Sequence, residues 1–213
     1  MRERAKPAID KLQRRGAILA ATESLLCAQP DRSINMAEVA ARAGIAKGTV
    51  YLYFPSKEEL LLALHESHVD AFFDHMDARL REAKAPTFDD VLAVIRANII
   101  EHPTYLTLVN RCMDILGRGI PLDKSFAFKQ RVANRVTTTG ALLESRFALR
   151  PGADGVSILM HTHALVLGLW QMLRPLPELD ALYTQNQFTF FQRDYFFEFS
   201  QSFRALWLGS LNH

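Results

Sequence analysis

Residues 43–60 read AGIAKGTVYLYFPSKEEL. Gly44 stands near its start and Pro55 interrupts it, so a helix between them has room for little more than two turns. Val50, Tyr51 and Tyr53, none a strong helix former, take three of its positions. The segment predicts a short helix from about Ala46 to Phe54, and its neighbours explain the composition. Upstream, Asn35 followed by Glu38 is a variant of the capping box. It starts a helix with Met36, Val39, Ala40 and Ala43 on one side, which Gly44 ends as a left-handed C′ residue. Downstream, Ser56 caps a long helix from Lys57 to about Ala83, with Glu58 and Glu59 favourable in its first turn.

Two helices joined by a turn containing Gly form a helix-turn-helix. A recognition helix of that motif enters the major groove by its N-terminal end. Gly48 permits close approach there, Lys47 reaches a base edge or a phosphate, and Thr49, Tyr51 and Tyr53 offer hydroxyls. Lys57 stands where a backbone phosphate would run. Val50 and Phe54 point the other way, toward a small core with Leu25, Val39 and Ala40.

Charge supports this reading. Residues 1–57 hold ten Lys/Arg against five Asp/Glu, whereas the remaining residues hold fifteen against eighteen. A basic end on a mildly acidic body suits a polyanionic partner at that end. The start RERAKPAIDKLQRR (2–15) is expected to add a contact to the DNA backbone or minor groove. No apolar run follows it, so no signal peptide is expected and the protein is assigned to the cytoplasm. Cys27 and Cys112, the only two cysteines, are far apart, which argues against a disulfide framework.

The rest of the 213-residue chain shows apolar recurrence at three and four, and the fold is expected to be all-α. Helix one is expected at about Ile9 to Ala28. Further helices are expected at 88–101, 103–116, 122–149, 153–173 and 187–209, with 174–187 the longest loop. Gly155 to Leu173 contains no Asp, Glu, Lys or Arg and approaches a membrane span in length. Its histidines, Ser157, Thr162 and Gln171 favour a helix buried on most sides, with no membrane partner. The last helix is equally apolar, with Phe188, Phe190, Phe191, Tyr195, Phe196, Phe197, Phe199, Phe203 and Trp207. Two such helices exceed what one core covers, so a twofold partner is expected on the second face.

The stretch MAEVAARAGIAKGTVYLYFPSKEELLLAL (36–64) resembles the DNA-binding signature of TetR-type transcriptional regulators. The resemblance covers residues 15 to 64, and the AxxAG turn, the TxYxYF and the SKEEL agree in order and spacing. It implies a three-helix DNA-binding domain at residues 1–57 and a helical ligand-binding and dimerisation domain at 58–213. It further implies a homodimer on a palindromic operator, built on a four-helix bundle of the last two long helices. Lys47, Gly48, Thr49, Tyr51, Leu52, Tyr53 and Lys57 then fall on positions that touch double-stranded DNA. One departure is Ala46, where the family often has a capping Ser or Thr. The dimer interface is expected at Leu165, Leu169, Phe196, Phe199 and Phe203.

A small-molecule effector site implied by the resemblance is expected at His68, Phe72, Met76, Ile95, Ile99, Tyr105, Met113, Phe128 and Trp170. This aromatic and Met-rich set favours a largely apolar ligand. The pairs His65/His68 and His161/His163 could offer metal ligands, but two apart on a helix faces opposite sides and no Cys joins them. No metal or cofactor is expected. No nucleophile–base constellation, GxGxxG or P-loop occurs, so the chain is not expected to be an enzyme. The expected function is a repressor released from DNA by an apolar molecule. An activator or an effector-independent DNA-binding protein is the alternative, and a helical carrier or enzyme a weaker one.

Overall fold

The computed structural model describes residues 5–30, 32–174, 177–179, 183 and 186–212. Among them the architecture is all-α, with only an isolated bridge between Leu149 and Leu211. The helices are α1 (Ala5–Ala28), α2 (Met36–Ala43), α3 (Lys47–Tyr53), α4 (Lys57–Arg81), α5 (Phe88–Ile95), α6 (Tyr105–Ile115), α7 (Leu122–Arg146), α8 (Gly155–Leu173) and α9 (Tyr195–Leu208). Helix α5 runs on into a π-helical turn, Arg96–Ile100.

Two compact units divide the chain. The first is Met1–Asp70 with His102–Lys129, the second Ala71–Glu101 with Gln130–His213. The boundary crosses α4, so that helix serves both.

The first unit has a core of Ile18 and Leu26 from α1, Val39 and Ala40 from α2, Val50 from α3, and Leu60, Leu61 and Leu64 from α4. Leu108 and Cys112 of α6 complete it. The Cys112 Sγ lies 3.8 Å from the Leu61 carbonyl oxygen, and burial pushes its thiol up to about 12, so it packs as a small hydrophobe.

In the second unit an aromatic row runs along α9. Phe199 stacks on Phe203 at 5.5 Å, and Phe203 meets Trp207 at 5.7 Å. Phe88, at the start of α5, and Phe147 close on the same row. Thr139 of α7 donates to buried Asp77 of α4 at 2.5 Å. The start of α5 is a full capping box, with Thr87 and Asp90 each holding the other's backbone N–H.

One helix departs from the sequence expectation, and a second is left partly uncovered by the single chain. The predicted helix 187–209 is broken. A 3₁₀ stretch, Asn186–Gln192, precedes α9, because Asp194 caps a fresh N-terminus by accepting from the Phe197 N–H at 2.7 Å. Helix α8 is not covered on most sides by its own chain. Gly155, Ile158, Thr162, Val166 and Leu173 are buried, whereas Met160, His161, Ala164, Gly168 and Met172 are exposed. It is long and apolar enough to cross a membrane by length and composition, and 22% of it is buried within the chain. Part of the expected loop 174–187 lies outside the described residues.

Candidate nucleic-acid interface

The turn between α2 and α3 is held at both ends. Asn35, in extended conformation, accepts from the Ala37 N–H at 2.8 Å. Glu38 does not return to the Asn35 backbone as a full capping box would; it pairs with Arg32 at 2.8 Å. Gly44 sits at φ 67°, a conformation that costs a side-chain-bearing residue, and its N–H bonds the Ala40 and Ala41 carbonyls. The Ile45 N–H also reaches the Ala40 carbonyl, at 3.0 Å, so α3 leaves α2 at a fixed angle.

Helix α3 is seven residues long and has no side-chain cap, since Ala46 supplies none. Its fold comes from packing. Val50 is fully buried, Phe54 nearly so, and Tyr53 lies half-buried against the same core. On the opposite side Lys47, Gly48, Tyr51 and Leu52 are exposed, Leu52 at 84%. A Cβ added at Gly48 would meet nothing within 4 Å. The chain's own packing therefore does not require this glycine, although it weakens the helix.

The exposed side chains have little to hold them. The Lys47 ammonium lies 5.9 Å from the Tyr51 ring centroid, and Lys57 Nζ is 3.3 Å from Ser33 Oγ and 3.6 Å from Glu58. Arg32, Ser33, Ile34, Asn35, Met36, Lys47, Tyr51 and Lys57 line one open groove of about 450 Å³. Cations from three different segments thus face one trough, beside the unsatisfied N–H groups of the α3 N-terminus. Arg32 and Ser33 escaped the sequence reading because they fall in the loop before α2. The signal available was a lone arginine ahead of the Asn35 cap. Of the basic start, residues 2–4 lie outside the described residues, and the chain is helical from Ala5.

The expected effector residues divide between the units. In the first, His68, Tyr105 and Phe128 are buried near one another: the His65 ring lies 5.7 Å from Tyr105 and 5.6 Å from Phe128, and His68 lies 6.3 Å from Tyr105. Burial raises the Tyr105 pKa, which keeps its phenol neutral. In the second, Phe72, Met76, Ile95 and Ile99 are all buried. Two of the expected residues are less enclosed. Met113 points outward at 55% exposure, because the buried side of α6 is taken by Leu108, Val109 and Cys112. Trp170 is only half-buried, with the Arg174 guanidinium 5.2 Å over its ring.

The expected interface also needs correction. Phe199 and Phe203 are 0% and 1% exposed in the single chain, so they are core and cannot form a free face. Phe196 is half-buried beneath the Arg96 guanidinium, 4.4 Å from its ring. Leu165 and Leu169 are half-buried. The apolar excess of α9 does not tell which of its aromatic residues face inward. The exposed large apolar residues of α9 are Phe197 and Leu208.

The histidine pairs suggested by spacing are not the ones that meet. His68 instead joins Glu23 and His102, with their ligand atoms within 4.8 Å of one another. That grouping had no sequence signal, since its members come from three distant segments.

Residues 18–64 match the family described as "Bacterial regulatory proteins, tetR family". Residues 66–213 match "Tetracyclin repressor-like, C-terminal domain". The regulator EthR of Mycobacterium tuberculosis is 46% identical over 63 residues, 30% of this chain and 28% of its own length. The transcriptional activator FasR of Mycolicibacterium smegmatis is 34% identical over 95 residues, 42% of each chain. The chain thus spans less than half the length of these curated relatives. Among solved structures, SmeT, the repressor of a Stenotrophomonas maltophilia multidrug efflux pump, is similar with a TM-score of 0.58 at 22% identity, over 93% of this chain and 90% of its own. A TetR-family regulator from Streptomyces coelicolor gives a TM-score of 0.59 at 22% identity, over 93% and 99%.

Proposed function

Because this chain belongs to the TetR family of bacterial DNA-binding transcriptional regulators, and is not an enzyme, we propose that it is a homodimeric repressor that leaves a palindromic operator when an apolar small molecule binds. The observation that carries the DNA part is the outward face of α3. Lys47, Gly48, Thr49, Tyr51, Leu52 and Tyr53 sit on a helix anchored by Val50 and Phe54, with Lys57 and Arg32 on the flanking segments. Lys47 and Tyr51 read base edges, and Arg32, Thr49, Tyr53 and Lys57 bind phosphates. In this division residues 1–57 read DNA and 58–213 carry dimerisation and ligand binding, in a cytoplasmic protein.

The effector is assigned to the buried apolar residues Phe72, Met76, Ile95 and Ile99 of the second unit. SmeT has also been solved as a complex with triclosan, in a structure similar to this chain at a TM-score of 0.53 and 23% identity; this supports a small-molecule effector. Coupling requires that the effector favour a body conformation in which the two heads no longer fit the operator. Activation is the second reading, supported by the activator FasR among the relatives.

The test uses the DNA upstream of the gene as probe. If each head neutralises about four phosphates, the slope of log K against log salt should be about −7 for the dimer. A slope shallower than about −2 would remove the basic segment from DNA. An apolar effector at a hundredfold excess over its dissociation constant should stabilise the protein by about 2.7 kcal/mol and weaken operator binding. Operator DNA must then weaken effector binding by the same factor. An effector that binds tightly without changing operator affinity would defeat the release mechanism.

A further inference from the structure

Glu23 of α1, His68 of α4 and His102, three residues before α6, converge inside the first unit. Glu23 Oε1 lies 3.0 Å from His68 Nε2 and 3.5 Å from His102 Nε2. The two imidazole rings are 4.3 Å apart. Thr104 Oγ1 approaches the same carboxylate oxygen at 3.3 Å, so three groups crowd one acceptor. His68 is buried, and its Nδ1 has no hydrogen-bond partner, so its ring is oriented through Nε2 alone.

We infer that Glu23, His68 and His102 form a binding site for a divalent transition-metal ion of the imidazole-preferring class, with zinc the simplest occupant. Metal–nitrogen and metal–oxygen bonds of about 2.0–2.2 Å in a tetrahedral site put neighbouring ligand atoms about 3.3 Å apart. The two edges from Glu23, 3.0 and 3.5 Å, bracket that spacing, and all three ligand atoms lie within 4.8 Å of one another. Two imidazoles and a carboxylate are a ligand set that zinc accepts with a fourth position left to water. The Thr104 N–H at 3.4 Å and the Thr104 Oγ1 at 3.5 Å lie beside His102 Nδ1 and orient its ring.

Such an ion would tie α1, α4 and the segment before α6 together in the unit that carries α3. The inference does not depend on the apolar effector. Metal-free full-length protein would be titrated with zinc by calorimetry and with cobalt(II) by absorption. One ion should bind per chain, raise the melting temperature and give cobalt(II) bands of a low-coordinate site. Glu23→Gln and His102→Ala should each lower zinc affinity more than about 100-fold, beyond what is lost when a residue that only supports a ligand is changed. The double variant His161→Ala/His163→Ala should bind as wild type. Melting curves without metal show that each variant is folded; should His102→Ala fail, Glu23→Gln carries the test, since it keeps the shape. Undiminished binding in folded Glu23→Gln or His102→Ala, loss of binding in the α8 double variant, or no binding at all would overturn the assignment.

Discussion

Gly155 at the start of α8 lies against Gly140 of α7 so closely that a Cβ on Gly155 would fall 2.1 Å from the Gly140 carbonyl oxygen. The obstacle is backbone, which cannot swing aside. Gly155→Ala is therefore expected to destabilise the protein by about 1–3 kcal/mol or more, the range for overpacking a tight site. Denaturant unfolding checks this, and a wild-type midpoint would show that α7 and α8 can separate without cost.

Gly48 gives the opposite expectation. Its added Cβ meets nothing in the chain, so Gly48→Ala should stabilise α3 by up to about 1 kcal/mol. Operator affinity should nevertheless fall, because in the proposed docking the methyl would stand between helix and DNA. Lys47→Ala and Tyr51→Ala should each weaken operator binding by about 1–3 kcal/mol with little change in melting temperature. Gains in stability without any loss of affinity would take α3 out of the interface.

The contrast between these two glycines marks what the sequence makes legible. The helix-turn-helix was readable because its signals act within a few residues: the Asn35 cap, the left-handed Gly44 and the Ser56 cap, which accepts from the Glu59 N–H at 3.1 Å. Apolar period revealed that α8 and α9 carry excess hydrophobicity. It could not tell Phe199, which faces the row of Phe203 and Trp207, from Phe197, which faces out. Pairings across long separations leave no such mark. The approach of Gly155 to Gly140 and the meeting of His68 with Glu23, 45 residues away, depend on how helices cross.

Acid should expose the capping box of α5. The Thr87 hydroxyl and the Arg79 guanidinium, 2.6 Å away, hold the Asp90 carboxyl well below the usual carboxylate range. A carboxylate depressed in the folded state contributes stability that is fully present above its unfolded value of about 4 and is lost as pH falls through the folded value. Asp90→Asn lacks that contribution. Its deficit in melting temperature relative to wild type should be largest above about pH 5 and shrink toward about pH 2. A deficit independent of pH would mean that Asp90 acts through shape and not charge.

The dimer face can be separated from the core by two kinds of substitution on one helix. Phe197 and Leu208 of α9 are 56% and 48% exposed in the single chain, and Met160 and Met172 of neighbouring α8 are 56% and 49% exposed. Helices α8 and α9 pack on each other, with the Tyr195 hydroxyl donating to the Val166 carbonyl at 3.0 Å. A twofold axis would bring each substituted residue into the interface twice, so one carboxylate introduced there enters as a like-charged pair in a drying surface. Phe197→Glu and Leu208→Glu should therefore yield folded monomers by sedimentation, and their melting temperature should lose the concentration dependence that dimerisation confers. Phe199→Ala should behave differently. Its ring is fully buried in the chain, and its removal should cost about 3–5 kcal/mol of folding stability whatever the state of assembly. Dimers of wild-type strength in both Glu variants would place the interface away from α8 and α9.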